Sequence, residues 1–148
     1  MAYPPMVRYS SEEEYRRHFE RVYCRRPIIT FDGIAVRFNK HQFKHCFYES
    51  SKRNSVKDRF STARAERIDW IKAALEDPNS ELYVGWDNKK KRYDKKRRVA
   101  IVLGDYVVII QLKNPGYAYF ITAFLADTAS TPKRPSTIDQ IRSGPKWA

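Results

Sequence analysis

The sequence predicts an α+β fold, with N-terminal helices packed on one face of a C-terminal four-stranded antiparallel meander sheet. Two observations carry this. Apolar residues recur at helical spacing through the first half, whereas from Glu81 onward short runs rich in Val, Ile, Tyr and Phe are separated by turn residues. Short connections between consecutive strands favour antiparallel pairing, and helices before strands mark the α+β class.

In chain order, Ser11 followed by Glu14 makes a capping-box pattern, and Tyr15, Phe19, Val22 and Tyr23 extend a first helix to about Cys24. PIITFDGIAVRF, 27 to 38, reads as a small hairpin turning at Asp32-Gly33. Asn39 caps a second helix to about Glu49, and the polar, basic SSKRNSVKDRFS reads as a loop. Ser61 or Thr62 opens a third helix, where Ile68, Ile71 and Leu75 form an apolar stripe until Pro78. The strands are ELYVGW, RVAIVL, YVVIIQLK and YAYFITAF. The remaining stretch, rich in Ser, Thr and Pro, has only Ile138, Ile141 and Trp147 as large apolar anchors and reads as a loose extension. The organisation expected is an N-terminal extension (1–10), a single α+β domain (11–126) and a tail (127–148).

The 148 residues suffice for one hydrophobic core, and 42% hydrophobic with 31% charged residues is the mixture of a folded, soluble protein. Lys plus Arg outnumber Asp plus Glu by 29 to 17, a net charge of +12 that favours polyanionic partners through counterion release. Cys24 and Cys46 are the only cysteines, without CxxC spacing, so neither a disulfide framework nor a four-ligand zinc site is indicated, and a reducing cytoplasm fits. No long apolar run or signal-peptide core points to a membrane, and no motif calls for a cofactor.

FNKHQFKHCF, 38 to 47, holds two of the three histidines. At 100° per residue Phe43, Cys46 and Phe47 fall on one side of a helix while His41 and His45 fall on the other. The histidine face is either an ordinary wet surface or a source of proton transfer near neutrality. The metal reading needs a third ligand and ranks last. Arg64, four residues before Ile68, extends the apolar stripe, so it either snorkels to water or waits for a ligand such as a scissile phosphate.

The run 89 to 98 packs Lys89, Lys90, Lys91, Arg92, Lys95, Lys96, Arg97 and Arg98 around Tyr93. It reads as a solvated loop or, better, as a phosphate clamp for a polyanion. In the last hairpin two registers are open. An Asn114-Pro115-Gly116 loop pairs 113 with 117 and puts Thr122 opposite Lys113; a Pro115-Gly116 turn pairs 113 with 118 and sets Gln111, Lys113 and Thr122 on one face.

A helix with histidines, a helix with an inward arginine and a meander ending in FITAF together resemble the barnase/EndoU/colicin/RelE-like ribonuclease superfamily, in particular its phage-associated branch, over roughly residues 34 to 125. The resemblance implies a metal-independent endoribonuclease in toxin, immunity or phage-conflict systems, held inactive by a cognate antitoxin, immunity or inhibitor protein. It implies His41 or His45 as the helix histidine, Arg64 as the helix arginine, Thr122 as the late-strand hydroxyl and, by strand position, Lys113. RNA is then the substrate, and Tyr117 or Tyr119 stacks a splayed base. His41 is slightly favoured over His45 because it lies nearer the helix N-terminus. The rival reading is a non-catalytic basic nucleic-acid-binding module or regulator; a third has the positive surface meeting an acidic protein.

Overall fold

The computed structural model describes residues 3–50, 57–87, 90–94, 98–128 and 135–147. Helix α1 (Glu12–Phe19) starts at Ser11, whose hydroxyl accepts from the Glu14 N–H at 3.3 Å and donates to the Glu14 carboxylate at 3.1 Å. Three glutamates in its first turn suit the positive end of the helix dipole. The helix then widens into a π-helical turn, Glu20–Cys24. Phe19 is the hub of the core, with the rings of Tyr23, Phe38, Phe43, Phe47 and Phe120 centred 5.6 to 6.5 Å away.

Helix α2 (Gln42–Phe47) stops two residues short of the expected end. Tyr48 is extended instead, pairing β3 (Tyr48–Glu49) with β4 (Arg59–Phe60), while its hydroxyl donates to the Glu12 carboxylate at 2.7 Å. These contacts replace the last helical turn. The third helix is broken into α3 (Thr62–Ala65), capped by Ser61, and α4 (Ile68–Glu76). The Glu66 carbonyl, which an unbroken helix would use internally, accepts from the Val7 N–H at 2.8 Å, and the Trp70 N–H turns to Arg67. Arg64 therefore does not continue the Ile68–Ile71–Leu75 stripe.

The main sheet has six strands rather than four, in the order β1-β2-β10-β9-β8-β5. β5 (Glu81–Val84), β8 (Arg98–Leu103), β9 (Tyr106–Asn114) and β10 (Tyr117–Leu125) pair antiparallel; β2 (Ala35–Arg37) adds to β10 in parallel and β1 (Ile28–Ile29) closes that edge. The β1–β2 connection is wider than a two-residue turn: Thr30 accepts the Ile34 N–H on its hydroxyl at 2.9 Å, and Gly33 takes a φ of +90°. A separate two-stranded ribbon, β6 (Trp86–Asp87) with β7 (Arg92–Tyr93), carries the arm between β5 and β8.

One sheet face, through Val99, Ile101, Val108, Ile110 and Phe120, joins the core formed with α1, α2 and α4. The other face is not bare. Ala100, Val102 and Val107 pack with Ile138 of α5 (Thr137–Arg142), so helices cover both faces instead of one. The C-terminal stretch is thus docked: Ser136 caps α5, the Val84 N–H donates to the Pro145 carbonyl at 2.8 Å, and the Trp147 N–H donates to Leu82 at 3.0 Å. The apolar half of the second face gives Ile138 and Ile141 their place. At the other terminus Tyr3 stacks on Trp70 at 4.0 Å and donates to the Leu103 carbonyl at 2.6 Å. His18, the third histidine, is buried between the Tyr9 hydroxyl (2.8 Å) and Asp69 (2.7 Å), tying this segment to α1 and α4. Among the described residues no helix is long and apolar enough to cross a membrane, and both cysteines are free thiols.

Candidate nucleic-acid site

Two irregularities in the β9–β10 hairpin decide what the second sheet face displays. Tyr117 pairs with Asn114, as a Pro115-Gly116 turn requires, but Ala118 pairs with Leu112, Tyr119 with Gln111 and Phe120 with Ile110, the register of the longer loop. A bulge at Ile121 then restores the first register, pairing Thr122 with Ile109. Both registers anticipated from the sequence occur, one after the other. Without the bulge Thr122 would follow Ala118 and Phe120 into the core; the extra residue turns it onto the opposite face.

That face reads as rungs. Arg37 of β2, Tyr119 of β10, Gln111 of β9 and Arg98 of β8 pair side by side across four strands. Arg98 donates from Nη2 to Gln111 Oε1 at 3.0 Å, Lys113 Nζ lies 3.4 Å from the Tyr119 hydroxyl, and the Tyr117 and Tyr119 rings meet edge to face at 5.6 Å. The next rung is Thr122, Ile109, Ala100 and Tyr83. Beyond it the face turns apolar and passes beneath α5. Thr122 therefore stands at the border between a cationic, aromatic platform and a covered apolar floor.

His45 reaches this border from the side. The pairing of β2 with β10 ends at Tyr119, and α2 covers the edge strand beyond it: Gln42 Nε2 donates to the Phe120 carbonyl and the Cys46 thiol to Ala123 at 3.5 Å. Burying Phe43, Cys46 and Phe47 fixes the rotation of α2 and leaves His41, Lys44 and His45 outside. His45 shares with Thr122, Arg98, Tyr93, Ile109 and Ile121 the wall of a cavity of about 830 Å³. His41 does not line it. The six-residue α2 also offers little dipole to support the earlier preference for His41.

Behind His45 lies a knot of positive charge centred on Cys46. Arg64 Nη1 makes a long 3.5 Å hydrogen bond to the Cys46 carbonyl. Burial pushes the Cys46 thiol up to about 11, and a backbone hydrogen bond from Ala123, the Arg64 charge, the Thr122 side chain and Lys57 pull against it. The Lys57 ammonium is held below its ordinary range by burial and then by Arg64. The His45 imidazole is held below 6.5 by partial burial, then by Lys57 and His41. Among the described residues none of His45, Lys57 and Arg64 has a carboxylate within salt-bridge range. Two mutually repelling cations, Lys57 and Arg64, beside an imidazole and a hydroxyl form a receptor for an anion.

The basic run divides. Lys89, Lys95, Lys96 and Arg97 lie outside the described residues; Lys90, Lys91 and Arg92 are exposed on the β6–β7 ribbon, with Lys91 at a φ of 52° in its turn. Tyr93 and Arg98 bend back into the cavity wall. Arg98 passes over Gly85, where a Cβ would stand 2.2 Å from Arg98 Cγ, and its Nε is buried without a partner among the described residues. An orphaned guanidinium nitrogen at a cavity wall is a costly arrangement unless a ligand completes it.

The structure thus brings His45, Thr122 and Arg98 to one cavity, sets Arg64 against the Cys46 carbonyl, and spreads Lys113, Tyr117 and Tyr119 along the open end of the same face. Lys57 and Arg37 were missed by sequence reasoning. Lys57 sits in a polar, basic stretch that reads only as a loop, and Arg37 in a short run that reads only as one half of a hairpin. Among the described residues no group of three or more His, Cys, Asp or Glu is placed to hold a metal ion. Compared with family models, curated proteins and solved structures, the chain matches none.

Proposed function

We propose that the chain is an endoribonuclease that cleaves RNA by attack of the ribose 2′-hydroxyl, without a metal. The observation that carries this reading is the cluster of His45, Lys57 and Arg64 around Cys46, bordered by Thr122 and without a carboxylate in salt-bridge range among the described residues, Glu49 acting on Lys57 only from farther off. His45, kept neutral near pH 7 by its surroundings, takes the 2′-hydroxyl proton, and the freed oxygen attacks the adjacent phosphorus. The bond from phosphorus to the 5′-oxygen breaks, and that oxygen takes a proton from Lys57, whose ammonium is made more acidic by burial and Arg64. The products are a 2′,3′-cyclic phosphate and a 5′-hydroxyl. Arg64 stabilises charge on the phosphoryl oxygens, Thr122 orients one of them, and the Arg37–Tyr119–Gln111–Arg98 row holds the neighbouring nucleotides by stacking and phosphate contacts.

A toxin or phage-effector role in the cytoplasm, with an acidic antitoxin, immunity or inhibitor protein over the cationic face, goes with the family resemblance. The second reading, a non-catalytic RNA-binding module, is favoured by the same four-residue row, which needs no chemistry to bind a strand. The two separate on incubation of purified protein with RNA in EDTA, with the ends of the products analysed. Cyclic phosphate ends that vanish in Arg64→Ala support the nuclease. Tight, salt-sensitive binding with no new ends supports the module.

A further inference from the structure

A second cationic concavity lies away from the sheet, on the outer side of α1 and its π-helical turn. Arg17, Arg21, Arg25 and Lys40 surround a hollow of about 380 Å³ with Glu20 and Cys24. Four cations face one acid there. Arg17 pairs with Glu13 at 3.4 Å and Lys40 with Glu20 at 3.9 Å, whereas Arg21 and Arg25 have no carboxylate in salt-bridge range among the described residues. All four side chains are exposed.

The alignment has a local cause. Residues four apart in an α-helix are offset by roughly 40°, so a stripe at i, i+4 and i+8 drifts by roughly 80° around the axis. The π-helical turn at Glu20–Cys24 rotates less per residue, which keeps Arg25 nearly in line with Arg21 and Arg17. Tyr23 and Phe19 lock this irregular turn into the core from the other side.

The stripe is also connected to the candidate site. Lys40, His41, Lys44 and His45 are all exposed along α2 and the turn before it, a ridge of roughly 8 Å that leads from the hollow to the cavity wall. We infer that Arg17, Arg21, Arg25 and Lys40 form an exosite for the backbone phosphates of single-stranded RNA, with the strand crossing the α2 ridge to reach His45. The inference rests on the nucleic-acid reading of the second sheet face, and it gives His41 a part in the track rather than in proton transfer. Guanidinium groups at successive turns suit phosphates of a strand without reading its bases.

The test uses the full chain and non-cleavable 2′-O-methyl RNA in EDTA, as an oligomer of about twenty nucleotides and as a trinucleotide, with fluorescence anisotropy followed across a salt series. The triple variant R17Q/R21Q/R25Q is expected to bind the long oligomer about tenfold more weakly at 0.15 M salt. Its plot of log affinity against log salt should flatten by about 2, since each single-strand phosphate contact contributes about 0.7. Trinucleotide affinity should match wild type, and R17K/R21K/R25K, which keeps the charge, should retain most of the slope. Unchanged affinity and slope for the long oligomer would overturn the exosite, as would an equal loss for both lengths. A stripe that serves only an acidic protein would leave the long oligomer unaffected and so also overturn it. Because no cleavage is involved, a protein that binds through the stripe yet leaves natural RNA intact would sink the nuclease reading alone.

Discussion

Gly85 lies so close beneath Arg98 that a Cβ added to it would stand 2.2 Å from Arg98 Cγ. The absence of a side chain at 85 is what lets the guanidinium lie along the sheet and reach Gln111. Gly85→Ala should lower the thermal unfolding midpoint, with overpacking costing about 1–3 kcal/mol, and should weaken RNA binding by displacing Arg98. In the double variant with Arg98→Ala the stability penalty should largely disappear, a coupling that a double-mutant cycle measures. Additive penalties would show that Gly85 acts elsewhere.

The His45 imidazole is held below 6.5 by partial burial and by the charges of Lys57 and His41. In Lys57→Gln its titration, followed by NMR, should move to higher pH, and His41→Ala should move it the same way by less. The stability consequence has a definite sign. A histidine with a lowered folded value binds protons more readily when unfolded, so this site makes the fold less stable as pH falls through 6.5 and below. A His45 value that stays put or drops in Lys57→Gln would remove Lys57 from its surroundings.

Ile138 of α5 fills the apolar half of the second face. Ile138→Ala should cost about 2–4 kcal/mol, in line with other buried truncations, measured by denaturant unfolding. A cost within a few tenths would restore the loose tail that composition implied.

The Tyr23 hydroxyl sits inside the first turn of α4, donating to the Ile68 carbonyl at 2.6 Å and accepting the Lys72 N–H at 3.0 Å. It is buried, and burial holds its pKa well above 10. Tyr23→Phe leaves both helix groups without that bridge and should destabilise by about 1–3 kcal/mol, with loss of protection at the Lys72 amide in hydrogen exchange. An unchanged Lys72 amide would contradict this.

Much of the architecture was legible because its causes are local. Ser11 with Glu14, and the β-branched apolar runs of strands β8 and β9 bounded by turn residues, need no distant partner to be read. What stayed hidden depends on partners far along the chain. Helix α2 ends where Tyr48 is drawn to Glu12; the third helix breaks where Val7 takes the Glu66 carbonyl. The placement of Thr122 turns on a bulge at Ile121 that interrupts an otherwise regular alternation. The site was half visible for the same reason. His45 and Arg64 stand out by type and spacing, but Lys57 acquires meaning only when the fold carries its loop back to Cys46.

The central claim is that His45, rather than His41, works at this site. The direct measurement is the rate of cyclic phosphate formation from RNA in EDTA by wild type, His45→Ala and His41→Ala, with folding of each checked by circular dichroism. The account expects His45→Ala to lose roughly 10²–10⁴-fold in rate, the usual worth of a positioned base, and His41→Ala to keep turnover within a few-fold of wild type at saturating RNA. Full activity in His45→Ala, or loss in His41→Ala alone, would contradict it.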